Sequence, residues 1–163
     1  MIEFVLKNRK FRLHPDGIMY VRAHRNGVET KKGCLWKQVK FCDNKGYLRC
    51  CIKLDGKVEN IVEHRLVYYA YNQDWDIFDN SQDNMIDHIN RIKTDNRIEN
   101  LRVSNNQQNQ WNQDSKGYYY TGYKWRAYIT RPDGVQIKLG AFNTEEDAHN
   151  AYLEAKNTYH IIE

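Results

Sequence analysis

Four turn signals punctuate this chain, and they constrain its fold more than any other feature. Pro15-Asp16-Gly17, Asn26-Gly27, Asp55-Gly56 and Pro132-Asp133-Gly134 each interrupt short runs of alternating apolar and polar residues. Asn-Gly and Asp-Gly links tolerate the left-handed backbone that a tight hairpin needs, and Pro pre-sets the first turn dihedral. A chain divided this way predicts hairpins of short strands rather than a helical bundle. Residues 11–14 lead into the first turn and residues 18–24 run toward the second. Tyr47–Leu54 and Lys57–Val62 flank the third. A short strand at 117–121 is followed by 124–131 and 135–142 on either side of the fourth.

Helical patterns lie between and after these hairpins. Glu63–Tyr71 places Leu66, Val67 and Ala70 at core spacing. Residues 72–85 are acidic and without period, which predicts a loop. Asn105 suits a helix N-cap, and the polar helix after it carries Asn109. Thr144-Glu145-Glu146-Asp147 resembles a capping box, and Ala148, Ala151, Tyr152, Ala155 and Tyr159 form one apolar face beyond it. The fold class is therefore α+β. The 163 residues have room for one ordinary domain or two small ones. The patterns divide them into a β-rich region with a compact motif, residues 1–113, and a sheet-plus-helix unit, residues 115–163.

Charge is unevenly spread. The chain carries a formal +4, yet residues 1–53 hold thirteen Lys or Arg against four Asp or Glu. A basic end suits a phosphate backbone and equally suits a solvated lysine-rich surface. Arg49 lies in this basic part. Cys34, Cys42, Cys50 and Cys51 form no C-x-x-C pair, which points to free thiols of a cytoplasmic protein rather than a structural zinc. No apolar run is long enough to span a bilayer, so no membrane partner is expected.

The chemistry concentrates in residues 86–110. Asp87-His88 opens the stretch, a polar loop follows, and Arg97-Ile98-Glu99-Asn100-Leu101 alternates as a strand would. Asp87 and Asn109 offer hard oxygen donors, which suit Mg²⁺ or Mn²⁺ better than zinc. A histidine titrates near neutrality, so His88 suits a proton acceptor. Neighbouring strand residues point to opposite faces, so Asp87 and His88 share one site only where the strand ends or bulges. Alone, the Asp-His pair reads more readily as a partly buried strand histidine bonded to backbone.

The joint pattern says more. His64-Arg65-Leu66-Val67, Asp87-His88-Ile89-Asn90, Lys93, Asp95-Asn96-Arg97-Ile98-Glu99-Asn100-Leu101 and Gln108-Asn109 occur in order. Together they resemble the HNH (ββα-metal) endonucleases, in the variant common among phage and intron-encoded homing enzymes. The resemblance implies His88 as general base, Asp87 and Asn109 as ligands of one metal ion, and Asn100 as a brace for the loop that aims the histidine. Arg91 stands where that family usually has glycine, Val103 where it has tryptophan, and Asn106 where it has proline. Arg65 can be read as a phosphate contact or as part of a helix lying over the motif.

The C-terminal segment has its own resemblance. Lys124-Trp125-Arg126-Ala127, Ile129, Lys138-Leu139-Gly140, Phe142 and Thr144-Glu145-Glu146 are similar to the plant ethylene-responsive-factor (Apetala-two type) DNA-binding domain. That resemblance implies a three-stranded sheet backed by one helix, with the sheet entering the major groove. Period two puts Lys124, Arg126, Tyr128, Thr130 and Lys138 on one face, with Arg131 at the strand end. The chain thus reads as a DNA endonuclease of homing or mobile-element type, acting on double-stranded DNA in the cytoplasm of a phage or virus host. Monomer and dimer stay open. A non-catalytic DNA-binding regulator and an RNA nuclease are the competing readings.

Overall fold

The computed structural model describes residues 1–25, 28–29 and 35–162. The Asn26-Gly27 turn and Cys34 lie outside the described residues. The chain divides into two compact units, Met1–Val103 and Ser104–Glu163.

The first unit is built from hairpins. β1 (Ile2–Leu6) pairs with β2 (Arg9–Leu13), setting Phe4 opposite Phe11. β3 (Met19–Arg22), the two-residue strands β4 (His24–Arg25) and β5 (Val28–Glu29), and β6 (Trp36–Gln38) follow. A four-stranded sheet results, in the order β1-β2-β3-β6. β7 (Cys42–Asn44), β8 (Tyr47–Leu54) and β9 (Lys57–Val62) make a second, three-stranded sheet. The β8–β9 bounds are those expected from Asp55-Gly56. Both turn residues have positive φ, 45° and 83°, as a two-residue hairpin of this hand requires.

Helix α1 (Glu63–Tyr71) follows β9 directly, also with the expected bounds. Its Leu66, Val67 and Ala70 are buried with Phe4, Leu6, Phe11, Leu13, Ile52 and Leu54, the inward residues of alternating strands. Phe4 and Phe11 stack at 5.1 Å. Leu66 is fully buried, so truncation to alanine there would cost roughly 2–5 kcal/mol. β10 (Met85–His88) pairs with β11 (Leu101–Ser104) across the loop that contains the candidate site.

One expectation fails here. Residues 97–101 do not form a strand. Ile98–Asn100 is a 3₁₀ turn, and the strand starts at Leu101. The Asn100 side chain bonds the loop before it, which ties this segment into a turn rather than a ladder.

The second unit begins with α2 (Asn106–Asn112). Asn105 caps it reciprocally. Asn105 Oδ1 accepts from Gln108 N at 2.8 Å, and Gln108 Oε1 accepts from Asn105 N at 3.0 Å. β12 (Tyr118–Tyr120), β13 (Trp125–Thr130) and β14 (Gln136–Phe142) then form an antiparallel sheet, backed by α3 (Glu145–Tyr159). Thr144 caps α3 through Asp147 N, and three acidic residues fill its first turn, where the helix dipole favours them. Ile129, Tyr152 and Ala155 form a small core. Gly117 is obligatory there: a Cβ at that position would lie 2.0 Å from the Tyr152 ring.

Candidate active site

The polar loop between β10 and β11 is held by its own side chains. Asn100 is buried and works in both directions. Its Oδ1 accepts from Asn90 N at 2.9 Å, and its Nδ2 donates to Asp95 O at 2.7 Å. Asn90 Nδ2 donates to Asp95 Oδ2, and Arg97 donates to both Asp95 oxygens at 2.8 Å. Those Arg97 bonds hold the Asp95 carboxyl well below the usual carboxylate range. Arg91 N closes a turn onto His88 O at 2.9 Å, and Arg91 itself has φ 66°. That conformation explains why glycine is the usual residue in the resembling pattern: side chains rarely adopt it.

His88 ends β10 and is 4% exposed, and Asp87 before it is 5% exposed. Their contacts are separate, as strand alternation requires. Asp87 Oδ2 accepts from Arg102 Nε at 3.1 Å and Nη2 at 2.8 Å, across the strand pair. His88 Nε2 lies 2.9 Å from Asn96 Oδ1, and Asn96 Nδ2 donates to Glu63 Oε2 at 2.7 Å. The rings of His64 and His88 meet edge to face at 5.1 Å, with Tyr47 5.6 Å from His64. Burial pushes the His64 pKa down to about 3, assisted by His88, Arg65 and Arg49. His64 is therefore a neutral imidazole beside His88. Burial also raises the Glu63 carboxyl, against a bond from Asn96 that lowers it.

The predicted contacts separate by environment. Arg65 is engaged by backbone carbonyls of its own unit. Its guanidinium donates to the carbonyls of Ile77 (2.8 and 3.1 Å), Asp79 (2.7 Å) and Asn84 (3.0 Å), and stacks on Trp75 at 4.5 Å. It clamps the irregular segment before β10, which is a structural use of the residue. Arg49 is half-buried on β8, and its Nε has no hydrogen-bond partner. Cys42, Cys50 and Cys51 are free thiols.

In the second unit the sheet has one covered face and one open face. Ala127 and Ile129 are buried toward α3. Arg126, Tyr128 and Thr130 have the opposite parity. Cross-strand register sets Tyr119 and Ala141 beside Arg126, and Lys138 beside Tyr128. Tyr119, Arg126, Tyr128, Gln136 and Lys138 line a shallow depression of about 400 Å³ on that face. Lys124 sits at the turn into β13, its carbonyl accepting from Thr121 N and Oγ1. Arg131 is paired with Asp133 across the next turn. Trp125 packs with Tyr118 and Tyr120, and Tyr118 donates to Glu145 of α3, so Trp125 lies on the helix side.

Asn109 is on α2, half-buried, with its N bonded to Asn105 O at 3.0 Å. α2 is anchored within its unit. Gln107 Nε2 donates to Pro132 O at 3.0 Å, and Trp111 stacks on His160 at 4.8 Å. His160 Nε2 bonds Thr130 O at 2.8 Å.

Glu63, Asn96 and Arg102 were not singled out from sequence. Arg102 becomes visible only with the β10–β11 pairing, and Glu63 with Asn96 only in three dimensions.

Residues 62–111 match the HNH endonuclease family model. No curated relative and no solved structure matches the chain. The match begins one residue before Glu63 and ends in α2, so it contains every side chain of the loop network. This part of the chain is therefore similar to HNH endonuclease domains. No helix among the described residues is long and apolar enough to cross a membrane.

Proposed function

We propose that the protein is a metal-dependent endonuclease that hydrolyses phosphodiester bonds in double-stranded DNA, of the homing or mobile-element type. The observation that carries this reading is the loop at the end of β10, pinned by Asn100, inside the matched residues 62–111. A loop so fixed keeps His88 in one geometry, as a general base requires.

Asp87 and Asn109 are the proposed holders of a Mg²⁺ or Mn²⁺ ion. Among the described residues no group of three His, Cys, Asp or Glu is arranged to hold a metal. A carboxylate and an amide oxygen fit a hard ion that completes its shell with water and substrate phosphate. When bound, such an ion polarises a phosphate oxygen and neutralises charge on the leaving alkoxide. His88 takes a proton from the attacking water as its oxygen bonds phosphorus. The P–O bond on the far side breaks, and the leaving oxygen takes a proton from solvent. Neutral His64 adds no positive charge beside the imidazolium that forms.

The open face of the second unit is the proposed DNA reader. Arg126, Tyr128 and Lys138 supply bidentate, aromatic and point-charge contacts, with Lys124 and Arg131 on phosphate; Arg49, on β8 of the first unit, is a separate proposed phosphate contact. The Apetala-two resemblance and the exposed basic-aromatic face both support this.

One observation favours a second reading, a DNA-binding regulator without catalysis: Arg102 already neutralises Asp87. A single assay separates the two. Supercoiled plasmid is incubated with Mg²⁺, with EDTA, and with the His88→Ala variant. Metal-dependent nicking that the variant lacks supports the nuclease. Binding without nicking under every divalent ion supports the regulator.

A further inference from the structure

We infer that Glu63 and Asn96 are positioning residues that fix the tautomer of His88, holding its hydrogen on Nε2 so that Nδ1 is the proton-accepting atom. This rests on the reading of His88 as the general base. The argument is one of donors and acceptors. A carboxylate only accepts, so the Asn96 group 2.7 Å from Glu63 Oε2 must be the amide NH₂. The amide has one oxygen, and it then faces His88 Nε2 at 2.9 Å. An amide oxygen only accepts, so Nε2 must carry the hydrogen and Nδ1 the lone pair.

Each member of this chain is itself held. Glu63 is the first residue of α1, packed beside the buried His64, and Asn96 sits in the loop that Asn100 and Asp95 secure. The chain of bonds therefore joins the start of a core helix to the end of β10. An orienting acceptor behind a histidine is the general device for keeping a base in its reactive tautomer. Here an amide, backed by a carboxylate, fills that position. The amide orients the ring without setting a full negative charge against it.

The test reads the tautomer directly and does not depend on cleavage. Long-range proton–nitrogen spectra of ¹⁵N-histidine-labelled full-length protein, with His88 assigned by its loss in His88→Ala, distinguish the two ring nitrogens. The expected result is a pyrrole-type Nε2 and a pyridine-type Nδ1. A pyrrole-type Nδ1 would overturn the inference, because a protonated Glu63 would reverse every donor in the chain.

Three variants extend the test. Asn96→Leu should leave His88 as a mixture of tautomers and lower cleavage at least about tenfold, as a misplaced imidazole hydrogen does elsewhere. An unchanged, pure Nε2–H signal in that variant would mean that something else sets the tautomer. Asn96→Asp sets two carboxylates face to face. Adding Glu63→Gln restores a donor to that contact and should recover the Nε2–H signal and most of the cleavage. A double variant no better than Asn96→Asp alone counts against the relay. Correct tautomers in a protein that never nicks DNA would support the relay and reject the nuclease reading instead.

Discussion

The loop of residues 89–97 and the open face of the second unit are both polar, but they spend polarity differently. In the loop, Asn90, Asp95 and Asn100 bond one another and the backbone, Asn96 bonds Glu63 and His88, and Asn100 is buried. On the sheet, Arg126 and Lys138 are exposed, and the strongest polar contact of Arg126 is a long one of 3.4 Å to Tyr123 Oη. A self-satisfied network fixes geometry, which proton transfer needs. A solvated face keeps its donors within reach of a partner. Substitution should therefore damage the two regions in different currencies: rate and stability in the loop, affinity on the sheet.

The largest effect should come from His88→Ala. Cleavage should fall by about 10²–10⁴ in single-turnover assays, while DNA affinity by gel shift stays unchanged. Equal loss of both would erase the contrast between the regions. Next is Asn100→Ala, which strands a backbone donor and a carbonyl in a part-buried setting. Urea unfolding should show a loss of about 1–3 kcal/mol, together with weaker cleavage. On the sheet, Arg126→Ala combined with Lys138→Ala should leave unfolding within about 0.5 kcal/mol of the parent. The same pair should weaken specific binding by about 1–3 kcal/mol and make its salt dependence shallower. An unchanged salt slope would remove the open face from the DNA interface.

His64 gives a pH-dependent version of the contrast. Its pKa falls from 6.5 to about 3 on folding, so the unfolded chain binds its proton first. The stability it contributes is full above about pH 6.5 and falls by about 1.4 kcal/mol per pH unit as pH drops toward 3. Urea melts at pH 7 and pH 5 should show this loss in the parent and not in His64→Phe. The smallest effect should be Arg91→Gly, which relieves the left-handed backbone at φ 66°. A gain of about 1 kcal/mol is expected, offset in part by glycine's freedom in the unfolded chain.

What the sequence revealed depended on the range of the cause. The β8–β9 hairpin and α1 were legible because Asp55-Gly56 and the Leu66, Val67, Ala70 spacing act within a few residues. Residues 97–101 misled because alternation, a statement about faces, was overruled by one asparagine side chain bonding its own loop. Sequence left Arg65 between a phosphate contact and a helix lying over the motif, because it shows the charge and hides the carbonyls of Asp76, Ile77, Asp79 and Asn84 around it. The Asn96–Glu63 bond joins residues 33 apart, and no local rule reaches that far.

The anchoring of α2 bears on how such proteins could be recombined. Trp111 on His160 and Gln107 on Pro132 tie the helix bearing Asn109 to the C-terminal sheet and its helix. A graft that exchanges the C-terminal module at residues 113–115 would keep Asn109 but remove the surface that supports it. A chimera joined ahead of Asn105 would carry the helix, its cap and its supports together. The seam that keeps α2 with its cap and its supports therefore lies ahead of Asn105, inside the residues that match the HNH family model.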